Sequence, residues 1–240
     1  MSARTLDDAI AGTLPAAELD GLDPALRTAI ARAWREHAAS ERAEANALAR
    51  VAAIVTSEPG PADLHWIALR GAADELRHAA ICAHVAHAYD SSLSPALPQA
   101  RAFAPLLPDI AAEHRRALRV IVQCCVQETR AAAYLEQAHA RATEPLARAA
   151  LRALFSDEID HGRIGYGYAA TLGPGPRRAL AQVLPVAVER CVAQWRTRVR
   201  TLPDVAAPAH GVLERATVES TIESAARDLV LPGLRAVDLA

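Results

Sequence analysis

Apolar residues along the chain recur at helical spacing, and no segment alternates with the period of a strand. Asp23 and Pro24 supply an N-cap and a first-turn proline. Ile30, Trp34, Leu48, Val51 and Val55 follow on one stripe, which predicts a first helix to about residue 55. The segment TSEPGP at 56–61 breaks the pattern, and a second helix is expected over 62–89. A proline-rich stretch at 90–109 is loop-like and long enough to cross a bundle. A third helix over 109–140, a break at 141–145 and a fourth helix ending at LGPGP (172–176) come next. Two further patterns cover 177–200, with Val183, Val186, Val188, Cys191 and Trp195, and 211–229. Four long helices joined by short, long and short connections predict an all-α four-helix bundle with one long crossover and two additional C-terminal helices. The expected organisation is a loose lead-in at 1–23, the bundle at 24–172 and a C-terminal extension at 173–240 packed on it.

Composition sharpens this picture. The chain has 240 residues, an ordinary size for one domain, and is rich in alanine and poor in aromatics, which favours packed helices. A net charge of -2 provides no field to gather nucleic acid or an anionic membrane. All 26 basic residues are arginine, so lysine Schiff-base chemistry is excluded. No apolar run reaches the ~18 residues of a membrane span, and the N-terminus has acids but no long apolar core, so no secretory signal is expected. Cys82, Cys124, Cys125 and Cys191 sit inside helical patterns without CxxC spacing, which suggests a reduced, cytoplasmic protein.

The chemistry lies in a repeated step. Glu75 and His78 stand three residues apart on the second helix, and Glu158 and His161 repeat the spacing on the fourth. Each pair is preceded by an aspartate, Asp74 and Asp157. Residues i and i+3 share a helical face, so each pair can reach one metal ion. A dinuclear carboxylate site also needs a glutamate from each of the other two helices. Glu128 fills this role on the third helix, within the stripe Ile121, Cys124, Ala131 and Leu135, where an acid is costly unless paired or metal-bound. It lies 30 residues before Glu158, so both stand about 15 from the intervening turn. On the first helix Glu41 and Glu44 both face inward, and turn counting leaves both open. Carboxylate and imidazole donors suit iron or manganese, in Fe/Fe, Mn/Fe or Mn/Mn pairs, better than a structural zinc site. Asp157 is expected to orient His78, and Asp74 to orient His161, since a ligand histidine commonly donates its second ring nitrogen to a carboxylate.

The segments EHAASERAEANALARV, AADELRHAAICAHVAHAY, CCVQETRAAAYL and SDEIDHGRIGY resemble the ferritin-like di-iron carboxylate superfamily, over about residues 24–172. More narrowly they are similar to a bacterial ferritin-like group whose members mostly lack an assigned reaction. The resemblance places the first-helix ligand at Glu41 rather than Glu44. It implies a bridged pair of iron ions held by Glu41, Glu75, His78, Glu128, Glu158 and His161. Where ribonucleotide reductase small subunits carry a radical tyrosine, this chain has Cys82. Where an N-oxygenase branch carries an extra ligand histidine, it has Leu154.

The expectation is an O2-dependent di-iron oxidase or oxygenase acting on a small organic substrate by hydroxylation, N-oxygenation or desaturation, with an electron donor that the sequence does not name. The alternative is an iron-handling protein that oxidises Fe(II) without an organic substrate. Cys82, Cys124 and Tyr168 are candidates to line a substrate pocket, with plain packing as the competing role. His37 is a candidate outer partner of Glu41. His84, His87, His114 and His210 have no complementary set. Asp160 and the arginine-rich run at 196–200 are expected to face solvent. The last two helices are expected to cover the bundle or to form a homodimer contact.

Overall fold

The computed structural model describes residues 10, 12–100, 107–202 and 204–240. Among these the chain is all-helical, with a single isolated bridge between Ala207 and Val212 as its only extended pairing. Helix α1 spans Pro24–Thr56 and opens as the sequence predicts, with the Asp23 carboxylate accepting from the Leu26 N–H at 2.9 Å. Helix α2 spans Ala62–Tyr89. Helix α3 runs in three consecutive stretches: α-helical Arg115–Ile121, π-helical Val122–Glu128 and α-helical Thr129–Arg141. Helix α4 spans Pro145–Thr171 and α5 spans Pro174–Thr201. Helix α6 begins at Arg215–Ala225, passes through π-helical Ala226–Val230 and closes as Leu231–Ala236. It therefore continues past Pro232, where the sequence pattern predicts a stop. The wider π-helical turn comes just before the residue whose ring and missing N–H disrupt an ordinary helical ladder.

Side-chain pairs fix the directions of the first four helices. Glu41 meets His78 and Leu48 meets Gly71, so α1 and α2 are antiparallel. His78 meets Asp157 and Asp74 lies beside His161, so α2 and α4 are antiparallel. His37 meets Tyr134 and Glu44 meets Gln123, so α1 and α3 are antiparallel as well. Helices α2 and α3 must then point the same way, and the chain between them has to return along the whole length of the assembly. Arginines of α1 hold the first part of that return. Arg35 donates to the Ser94 and Ala96 carbonyls at 2.6 and 2.7 Å, and Arg42 donates to the Pro98 carbonyl at 2.5 Å.

The lead-in is not loose where it is described. Ile10 is buried, Leu14, Ala17, Leu19 and Leu22 pack against the core, and the Glu18 N–H donates to the Glu144 carboxylate at 3.0 Å. Glu144 also caps α4 through the Leu146 and Ala147 N–H groups and accepts from the Tyr89 hydroxyl. His210, expected to be a surface or packing residue, contacts that hydroxyl through Nδ1 at 2.7 Å, and its carbonyl accepts from Trp34 Nε1 at 3.0 Å.

The apolar core divides into two large clusters at opposite ends of the four helices. One contains Leu48, Leu64, Leu118, Ile121 and Ile164, and the other Ile30, Trp34, Leu135, Leu151 and Leu154. The break falls at one level on all four helices: between Ala38 and Leu48, Ala68 and Ala80, Val126 and Leu135, and Leu154 and Ile164. The buried acids and histidines occupy this level. Close approach of α3 and α4 just beyond it depends on Gly165, where an added Cβ would lie 2.5 Å from Cys125 Sγ and 2.8 Å from the Cys125 backbone nitrogen. Gly165→Ala is expected to lower unfolding free energy by about 1–3 kcal/mol through overpacking. Gly173→Ala, where nothing lies within 4 Å of the added carbon, is the control for overpacking in urea titrations, its effect being limited to the α5 N-cap position it occupies.

Candidate metal centre

Six polar side chains are buried together between the two apolar clusters. Glu41, Glu75, His78, Glu128, Glu158 and His161 are each 7% exposed or less. They form two groups able to hold a metal ion, Glu41–Glu75–His78–Glu158 and Glu75–Glu128–Glu158–His161. Within each group one donor atom per residue lies within 4.8 Å of all the others, and the groups share Glu75 and Glu158. That overlap is what two neighbouring ions joined by common carboxylates require. Glu44 belongs to neither group. Its carboxylate instead accepts from Gln123 Nε2 at 2.7 Å, so the two first-helix acids have different surroundings.

The hydrogen-bond pattern suits a bound cation. Both Glu75 oxygens, His78 Nδ1, Glu158 Oε2 and both His161 ring nitrogens are buried without a hydrogen-bond partner. His161 Nδ1 lies 2.9 Å from Glu75 Oε1, yet the two are not aligned as donor and acceptor. His78 Nδ1 lies 3.5 Å from Glu75, 3.6 Å from Glu158 and 3.7 Å from Glu41. Buried polar atoms are nearly always paired, and several converging without pairing leave room for a shared third body. All the donors are carboxylate oxygen or imidazole nitrogen, the set that hard to borderline divalent cations accept.

The surroundings orient the donors. His78 Nε2 contacts Asp157 at 3.0 Å, and Asp157 is in turn held by Arg77, so the other ring nitrogen is turned toward the acids. His161 is less tightly tied. Its Nε2 lies 3.6 Å from Asp74, beyond hydrogen-bond range, and Asp74 is engaged by Arg70 at 3.0 Å. Asp160 does not simply face solvent: it is half-buried, accepting from Arg70 at 2.5 Å and from Arg163 at 2.7 Å. His37 approaches Glu41 from outside the groups, at 2.9 Å. Gln123 Nε2 donates to Glu128 at 2.6 Å as well as to Glu44, and so couples a candidate ligand to its neighbour.

Electrostatics describes how the layer balances itself without a metal. Burial pushes Glu75 up to about 8, with the charges of Glu158 and Glu41 adding to the effect. Burial, together with Glu158 and Glu75, likewise raises Glu128 well above the carboxylate range. Glu158 is also pushed upward by burial, but His161 and His78 outweigh this and hold it at about 2. Glu41 is held well below its ordinary value because His37 and His78 overcome the burial penalty. Both layer histidines are raised, their acidic neighbours outweighing burial, which alone would lower them. Burial thus favours the protonated form of Glu75 and Glu128, whereas the neighbouring histidines favour the charged form of Glu41 and Glu158.

A cavity of about 160 Å³ reaches the layer at Glu41, Glu128 and Glu158. It passes His37, Ser40 and Tyr134 toward Trp34, and its far wall is built by Trp195, Arg198, Val199 and Leu213 from the C-terminal helices and their connection. Cys82, Cys124 and Tyr168 do not line it. All three are packed in the apolar clusters, and the Tyr168 hydroxyl donates to Glu58 at 2.8 Å. Arg198, expected on a solvated face, instead borders the cavity. Gln123, Gln127, Arg130 and Trp195 were not anticipated as parts of the site. The available signal was the pair of glutamines four residues apart inside the apolar run VIVQCCVQE. Compared with known protein families, with curated proteins and with solved structures, the chain gives no significant match.

Two results are expected. Uptake of divalent ions near pH 7 should release protons, because burial and the neighbouring acids raise the proton affinity of Glu75, Glu128, His78 and His161; pH-stat titration measures it. Glu75→Leu should abolish this uptake.

Proposed function

We propose that the chain is a ferritin-like di-iron carboxylate protein that uses O2 to oxidise a small organic substrate. Three features support the ferritin-like reading: the helix directions, the long return between α2 and α3, and one Glu-x-x-His step on each of α2 and α4. Glu41, Glu75, His78, Glu128, Glu158 and His161 would hold the ions, with Glu75 and Glu158 common to both. The lack of thiolate donors in either group favours iron or manganese over structural zinc. Bound iron would supply the electrons and open coordination positions needed to reduce O2.

The chain's own residues do the rest. Asp157 fixes the orientation of His78, and Gln123 holds Glu128. Trp34, Tyr134 and Trp195 wall the cavity and shape the space for a reactant. The observation that carries the substrate-oxidation reading is this cavity, which opens on three of the four layer glutamates and is walled on one side by the C-terminal helices. An iron-oxidising protein with no organic substrate has no need of such a largely apolar space.

Anaerobic Fe(II) loading followed by stopped-flow mixing with O2 tests the proposal. An O2-dependent absorbance change is expected, reaching full amplitude at about two irons per chain. Glu158→Ala should abolish it. Absence of any O2 reaction in the iron-loaded protein would contradict the proposal.

A further inference from the structure

Helix α2 turns an apolar stripe outward. Trp66, Leu69 and Leu76 are 66%, 58% and 41% exposed, and Ala62 and Ala73 are exposed with them. These positions share the side of α2 away from Glu75 and His78, so the helix that supplies two layer residues inward presents apolar groups outward. Half of the large apolar side chains exposed among the described residues stand on this one stripe. Single apolar side chains are ordinary on a surface, but several on one helix face mark a contact with another molecule. The steps 66, 69, 73 and 76 are the alternating three and four of a helix that packs lengthwise on a second helix.

We infer that this stripe is the contact between two copies of the chain, with the two α2 helices antiparallel across a two-fold axis. Such a contact needs a surface that complements itself. With the axis midway between Leu69 and Ala73, each Leu69 meets the small Ala73 of the other copy, and each Trp66 meets Leu76. The flanking charges agree. Asp63 and Arg77 lie at opposite ends of the stripe, so an antiparallel pair brings each Asp63 beside the other copy's Arg77. Arg70, which falls nearest the axis, is answered within its own copy by Asp74 at 3.0 Å and Asp160 at 2.5 Å.

The extent is sufficient. Residues 62–77 span about 24 Å of helix, and α2 with the edges of its two neighbours is about 20 Å wide. Two such faces bury about 1,000 Å², the lower bound for a specific contact, which describes a dimer in exchange with monomer rather than an obligate one. Arg70 and Arg77 on the edge of the stripe also hold Asp74 and Asp157, the acids that face His161 and His78. The contact therefore lies over the charge network that orients the layer histidines. It does not depend on the oxidation proposed above.

Sedimentation velocity of the full chain between about 1 and 200 µM tests this, the interval in which a contact of this size exchanges. The dimer fraction should rise with concentration. Leu69→Glu, which sets two carboxylates near the axis, should raise the dissociation constant at least about tenfold. Val186→Glu, at a comparably exposed apolar position on α5 (42%), should leave it unchanged. Circular dichroism reads the folding of each variant, and Trp66→Ala, which removes the contact with Leu76, repeats the test should Leu69→Glu fail to fold. A chain that stays monomeric throughout, a dimer that Leu69→Glu and Trp66→Ala both leave intact, or equal weakening by Val186→Glu would overturn the inference.

Discussion

Four carboxylates and two imidazoles withdrawn from water in one layer set the terms for the rest of this molecule. Each buried, unpaired ion costs several kcal/mol, and a domain's whole stability is about 5–15 kcal/mol. Such a layer persists only if its charge is balanced locally. Protons on the layer's acids and histidines can supply that balance, and two divalent cations held by the four carboxylates would supply it instead. The two apolar clusters on either side supply the burial that offsets the cost, and they align the four helices so that the six side chains meet at one level.

The helices outside this core have a distinct task. Helices α5 and α6, with their connection, close one side of the space beside the layer and turn it into a walled cavity. The π-helical stretch of α3 serves both regions. It presents Glu128 to the layer, places Gln123 between Glu128 and Glu44, and uses Gln127 to fix Trp195 on α5. A single irregular turn thus ties the layer of acids and histidines to the cavity wall. Such turns widen the ordinary helical ladder and recur at functional sites.

Much of this organisation was legible in the amino-acid pattern. The number and order of the helices followed from apolar periodicity and from punctuation such as Asp23–Pro24 and TSEPGP. The acids and histidines that come together were legible because Glu-x-x-His spacing puts donors on one helical face, and because hairpin symmetry relates Glu128 to Glu158. Periodicity could not reveal the cavity. Which helix covers which groove depends on tertiary packing, so Cys82, Cys124 and Tyr168 were candidates for pocket lining as well as for the packing role in which the structure has them. Arg130, Trp195 and Arg198, which do border it, looked like packing or surface residues. The π-helical turn was equally hidden, because one extra residue per turn leaves no mark in a segment of only seven residues. Asp160 looked solvent-facing because its partner, Arg70, lies 90 positions away.

The most direct test of the dinuclear layer is an anomalous difference map from crystals of the metal-loaded protein. Two peaks are predicted, both contacting Glu75 and Glu158, one also contacting Glu41 and His78 and the other Glu128 and His161. A single peak, or peaks lying away from this layer, would contradict the account.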